Sequence, residues 1–156
     1  MAGKEHLYNA TVVWTGAGAG PTTDYKAYSR AYRIEIAGKP PLLGSADPAY
    51  LGEPGKHNPE DLLLAALSAC HMLSYLALCA RDKIAVTSYR DEASGVLAIN
   101  DGRMRFTSVT LHPQVTIAEA DKLARARALH AQAHAGCFIA NSVNFPVENE
   151  ATVTAG

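Results

Sequence analysis

Apolar and polar residues alternate from the start of the chain: Tyr8, Ala10, Val12 and Trp14 take every second position, which predicts a strand over residues 6–14. Gly and Ala fill residues 16–20, Pro21 follows, and alternation resumes over residues 24–36, so the two segments predict a hairpin. In the second strand Tyr28, Arg30, Tyr32, Ile34 and Ile36 share one face, while Ser29, Ala31, Arg33 and Glu35 share the other. Arg30 thus lies on an apolar face. There its guanidinium must either snorkel to water or find a partner, because an unpaired buried charge is strongly destabilising. Residues 38–57, rich in Gly, Pro, Ser and Asp, predict a long irregular loop of the kind that carries function in a compact domain.

The period then changes from two to 3.6. Asn58 suits an N-cap, Pro59 the first helical position, and Glu60 and Asp61 place negative charge on the first turn. Residues 62–80 contain no Asp, Glu, Lys or Arg, a stretch that by length alone would span a bilayer. The interior His71, Ser68 and Ser74, the prevalence of Ala, and the strand-like segments on both sides favour a helix buried in a domain or dimer over a membrane span.

Beyond it, β patterning returns over residues 84–89, 95–99 and 104–117, with Asn100-Asp101-Gly102 as a turn between the last two. Thr116 and Glu119 have the spacing of a capping box, predicting an Ala-rich helix that runs to about Ala135 and stops at Gly136. A short segment, 137–143, and a final strand over 146–153 complete the chain. The order ββ-α-βββ-α-β predicts an α+β fold in one domain over residues 1–156.

Composition narrows the function classes. With 14 Lys+Arg against 15 Asp+Glu and a net charge of -1, the chain lacks the basic footprint of nucleic-acid or anionic-membrane binding. Residues 1–14 show no basic segment followed by an apolar one, so no signal peptide is read and a cytoplasmic, thiol-reducing setting is expected.

Three cysteines carry the candidate chemistry. Cys70 and Cys79 are nine residues apart on one helix, about 900° of rotation, and so point to opposite sides. Cys79, among Leu76, Leu78 and Ala80, reads as core packing. Cys70 sits mid-helix, where apolar burial would raise its pKa, so a reactive thiolate there needs a cation. Arg30 is the candidate supplier, with Arg33 as fallback, and Glu60 the carboxylate that would hold the guanidinium. Glu60 and Cys70 should not touch within one helix, being about 15 Å apart along it. Either Arg30 bridges them through the fold, or two antiparallel copies of the helix bring Glu60 of one subunit to Cys70 of the other. Cys137 follows Gly136 at a helix break, which gives a thiol backbone freedom to reach a partner. Two other readings compete. His130, His134 and Cys137 have the spacing of an incomplete zinc site, although His130 falls beside Leu123 and Ala126 as a partly buried histidine would. Cys70 and His71 are adjacent on the helix, poor geometry for a hydrolase pair.

The segments Asn58-Pro59-Glu60-Asp61-Leu62-Leu63, Leu67-Ser68-Ala69-Cys70-His71-Met72-Leu73 and Gly136-Cys137-Phe138-Ile139-Ala140-Asn141-Ser142, the last running into Asn144-Phe145-Pro146-Val147, resemble the OsmC/Ohr family of osmotically inducible and organic hydroperoxide resistance proteins. The resemblance implies an intertwined homodimer whose antiparallel sheets wrap around paired, long, buried central helices. It also implies a cofactor-free peroxidase acting on organic hydroperoxides and reset by a dithiol, in the family often dihydrolipoamide on a carrier protein. Carried over, Cys70 resembles the peroxidatic cysteine, Cys137 the resolving cysteine, and Glu60 the carboxylate that orients an arginine, here Arg30. His71 after the first cysteine and Phe-Ile after the second depart from the organic hydroperoxide branch.

Overall fold

The computed structural model describes Gly3 and residues 5–156; residues 1, 2 and 4, part of the stretch read above for a signal peptide, lie outside the described residues. Two compact units divide the chain, Met1–Leu62 and Leu63–Gly156.

The first unit is an antiparallel sheet in the order β1-β2-β3, formed by β1 (Thr11–Trp14), β2 (Tyr32–Glu35) and β3 (Leu42–Gly44). Both predicted strands of the hairpin are shortened, the second by local hydrogen bonding. Asp24 Oδ1 accepts the Lys26 N–H at 2.9 Å and the Asp24 carbonyl accepts the Ala27 N–H at 3.1 Å, so residues 24–27 turn where the pattern predicted strand. The predicted loop contains β3 and a 3-10 turn, Pro48–Tyr50, opened by Asp47, whose Oδ1 accepts the Ala49 N–H at 2.7 Å. Gly44 lies opposite Tyr32 in the ladder, and a side chain there would meet the Tyr32 ring at 2.2 Å; glycine lets that ring lie across the strand.

Helix α1 (Pro59–Arg81) begins as predicted. Asn58 Oδ1 accepts the Asp61 N–H at 2.8 Å and Asp61 Oδ2 accepts the Asn58 N–H at 3.2 Å, a reciprocal capping box. Replacing Asn58 with Ala should cost about 1 kcal/mol. In a thermal melt followed by circular dichroism this should appear as a midpoint roughly 2–4 °C lower.

In the second unit one stripe of α1, Leu67, His71, Tyr75 and Cys79, is buried, one residue per turn. The helix is apolar all round but buried on this stripe alone within the chain: Leu73 is 63% exposed. It is long and apolar enough to cross a membrane, but its buried stripe belongs to two cores. Tyr75 and Cys79 pack with Ile84, Val115, Ile117, Leu129 and Val153, and Leu67 packs with Val109 and Leu111.

Two mixed sheets form these cores: β4 (Val86–Asp91), β7 (Pro113–Ile117) and β9 (Thr152–Ala155) in one, and β5 (Ser94–Asn100), β6 (Arg103–Leu111) and β8 (Val147–Asn149) in the other. The β5–β6 hairpin turns at Asp101 (φ 50°) and Gly102 (φ 74°), the left-handed pair that an Asp-Gly sequence favours. The predicted 104–117 strand is cut at His112, whose N–H goes to Asp91 Oδ1 at 2.7 Å, and its halves β6 and β7 join different sheets. The final strand likewise divides into β8 and β9, and each pairs parallel to its neighbour, β8 with β6 and β9 with β7, so the sheets are not purely antiparallel.

The predicted capping box at Thr116 and Glu119 does not form. Thr116 lies within β7, and Glu119 Oε2 accepts the Ala85 N–H at 3.1 Å, tying down the entry to β4. Helix α2 (Leu123–Ala135) therefore starts late, after a 3-10 turn at Ala120–Lys122, and stops before Gly136 as predicted.

Candidate functional site

The exposed side of α1 carries Cys70. Ala66, Ala69, Cys70, Leu73 and Ser74 recur at the spacing of one helical face and, with Phe138 and Ile139, line an apolar cavity of about 460 Å³. Phe138, 80% exposed, stands at its margin. Cys70 is half-buried there, and Cys137 is buried just past the end of α2. Both are free thiols, and the Cys70 side chain lies near enough to Cys137 to act on its ionisation. Burial pushes the Cys137 thiol up, and nearby Cys70 adds to this. The Ala140 and Ile139 N–H groups pull the other way, the first reaching Cys137 Sγ at 3.4 Å from the turn that follows the cysteine. Cys79 lies on the opposite side of α1, buried beside Tyr75, its pKa raised by burial.

Within the first unit, Arg30 and Glu60 line a second cavity, of about 270 Å³, with Tyr32, Ser45, Asp47 and Tyr50. They share the cavity without forming the expected ion pair. Arg30 Nη1 donates to the Tyr28 carbonyl at 2.7 Å and Nη2 to the Tyr25 carbonyl, while the guanidinium stacks over the Tyr28 and Tyr25 rings at 4.0 and 5.0 Å. This answers the puzzle of an arginine on an apolar face: carbonyls and ring faces, not a carboxylate, offset its charge. Arg33, the fallback, is bonded to Glu35 at 2.6 Å on the exposed side of β2.

A third feature was not anticipated in the sequence. His71 Nε2 and His130 Nδ1 are 3.0 Å apart in the interior, and Asn149 Nδ2 lies 2.9 Å from His71 Nε2. The His130 ring stacks on Tyr75 with centroids 3.9 Å apart. Burial lowers both histidines to about 4; for His71 the charge of His134 adds to this and Asp91 opposes it, and for His130 the charge of His71 adds. His71 falls on the every-fourth-residue stripe with Leu67, Tyr75 and Cys79, so its burial was readable, but its partner was not. Being turned to the core, it does not serve Cys70 as a hydrolase base. His130 faces His71, and among the described residues no three His, Cys, Asp or Glu side chains converge as metal ligands would.

The sequence model of the OsmC-like protein family matches residues 52–151. An OsmC-like protein of unknown function from Vibrio cholerae has a similar structure, with 37% identity, a TM-score of 0.87, and 95% of this chain and 100% of that one covered. An organic hydroperoxide resistance protein OsmC from Legionella pneumophila shares the fold at 22% identity and a TM-score of 0.68, over 96% and 99% of the two chains. The uncharacterized protein YmaD of Bacillus subtilis (strain 168) is 25% identical over 115 residues, 70% of this chain and 77% of its own.

Proposed function

The chain belongs to the OsmC-like protein family, and from that premise we propose that it is a cysteine-based peroxidase for organic hydroperoxides. The observation that carries the reading is the nearness of the Cys137 thiol to Cys70, which lines an apolar cavity. In the first step the Cys70 thiolate attacks the terminal oxygen of the hydroperoxide. The O–O bond breaks, the alkoxide leaves and takes up a proton as an alcohol, and Cys70 becomes a sulfenic acid. Cys137 then attacks the Cys70 sulfur, the S–S bond forms, and hydroxide departs as water. A dithiol, as on a lipoylated carrier protein, returns two electrons and two protons through thiol–disulfide exchange. No cofactor is needed.

Arg30 is assigned as the cation that stabilises the Cys70 thiolate, and Glu60, on the same cavity, as a carboxylate of the site. Their common cavity supports a shared role, and the family resemblance supplies its nature. The apolar lining by Ala66, Leu73, Phe138 and Ile139 favours an organic peroxide over hydrogen peroxide. A homodimer is part of the same reading, because only 22% of the most apolar stretch of α1 is buried within the chain and a second copy of α1 would cover the rest. The family match spans residues of both units, which supports one OsmC-like domain over 1–156 in a thiol-reducing, cytoplasmic setting.

One equivalent of cumene hydroperoxide should remove two hydrogens from the intact protein, and peptide mapping should place the new bond between Cys70 and Cys137. In Cys137→Ser the product should instead carry one added oxygen. A two-hydrogen loss that persists in Cys137→Ser, or thiols that survive the peroxide, would overturn the reading. The raised Cys137 pKa favours a second reading, a sensor or binding protein that is oxidised once and turns over little; multiple turnovers with dihydrolipoamide would exclude it.

A further inference from the structure

A cavity between α2 and β8 takes no part in the thiol chemistry. It has a volume of about 350 Å³, and Arg127, His130 and His134 line it from α2, Glu148 and Asn149 from β8. His130 is 5% exposed, and its Nε2 is buried with no hydrogen-bond partner among the described residues. A buried donor or acceptor left unpaired is destabilising. The His130 ring has little freedom to seek a partner elsewhere, since Nδ1 faces His71 at 3.0 Å and one face lies on Tyr75. At the rim, Arg127 uses Nη2 on the Val153 carbonyl at 3.2 Å and forms no ion pair among the described residues. Among the described residues β8 is the outer strand of its sheet.

We propose that this cavity binds a small monocarboxylate. One carboxylate oxygen accepts from Arg127 and the other from His130 Nε2–H, while Val147, Ala131 and Ala151 face a short apolar body. The Glu148 carboxylate disfavours a second negative charge, which separates a monocarboxylate from a phosphate dianion. In the occupied site His130 carries its proton on Nε2, its Nδ1 accepts from His71 Nε2–H, and the Asn149 amide presents its oxygen to His71.

Sodium benzoate is the probe, with benzyl alcohol as the neutral control, in calorimetric titrations of the full chain and in nitrogen spectra of its histidine rings. Benzoate should bind saturably at one site, with His130 Nε2 protonated in the complex, and benzyl alcohol should not bind. His130→Phe, which keeps the stack on Tyr75, and Arg127→Gln should each weaken binding roughly tenfold or more. Cys70→Ser should bind as the parent does. The proposal is overturned by no saturable binding in the millimolar range, by equal affinity in Arg127→Gln, or by loss of binding in Cys70→Ser, which would move the ligand to the cysteine cavity. Arg127 is on the exposed rim, so Arg127→Gln decides the matter even if His130→Phe does not fold.

Discussion

Cys70→Ser should reduce turnover of cumene hydroperoxide to the uncatalysed background, while Cys79→Ala should keep it. The first substitution removes the sulfur that lines the apolar cavity on α1, and an alcohol at that position has no accessible anion to attack the O–O bond. Cys79 is on the opposite, buried side of the helix, so its loss lowers stability and not activity. Arg30→Met should lower kcat/KM by roughly 10²-fold, the scale for deleting one group aimed at developing charge. Arg33→Met should stay near the parent, because its pair with Glu35 is a surface ion pair of small consequence. Steady-state rates with a dithiol reductant check all four variants. Equal activity in Cys70→Ser would end the assignment, and equal losses for Arg30→Met and Arg33→Met would end the choice between the arginines.

Acid should destabilise the fold well above the carboxylate range. His71 and His130 titrate near 6.5 when unfolded and near 4 when folded, so between these values the unfolded chain holds protons that the native one excludes. Their contribution is complete above about pH 6.5 and is lost as pH falls toward 4. With two protons taken up, the slope near pH 5 should approach ~2.7 kcal/mol per pH unit. The groups around the pair are His134 and Asp91, of opposite effect on His71, with Arg127 and Glu148 at the neighbouring cavity. Glu119, held below its ordinary value by the Ala85 N–H, adds a loss of the same sign only at lower pH. Urea unfolding at a series of pH values measures the slope. In His130→Phe it should fall to about half, since one titrating group is gone; a flat profile between about pH 7 and pH 5 would refute the assignment of neutral buried histidines.

Where one residue's chemistry dictates its surroundings, the reading from sequence and the structure agree. The Asn58-Pro59 start, the apolar run of α1, the Asp101-Gly102 turn and the halt of α2 before Gly136 are local consequences of capping, periodicity and backbone preference. Errors fall where a local pattern was open to a distant competitor. Glu119 had the spacing of a cap and instead bonds Ala85, thirty-four residues away. His112 sits inside a run of strand-like apolar positions, and there its N–H goes to the Asp91 carboxylate on another strand, just before Pro113. Glu60 had the charge to pair with Arg30, yet the carbonyls of Tyr25 and Tyr28 hold that guanidinium through turns the alternating pattern did not signal.

The sequence by itself determined the helices, the α+β order, the division of Cys79 from Cys70 by helical rotation, and the family to which the chain belongs. Those properties depend on residues near one another in the chain. Only the tertiary structure decided that Cys137 lies beside Cys70, that His71 meets His130, and that one buried imidazole nitrogen is left without a partner among the described residues. Each of these pairs joins α1 to a residue at or just beyond α2, more than fifty positions away. Hydrogen bonding and burial act through space, and no period in the sequence encodes which side chains two packed elements bring face to face.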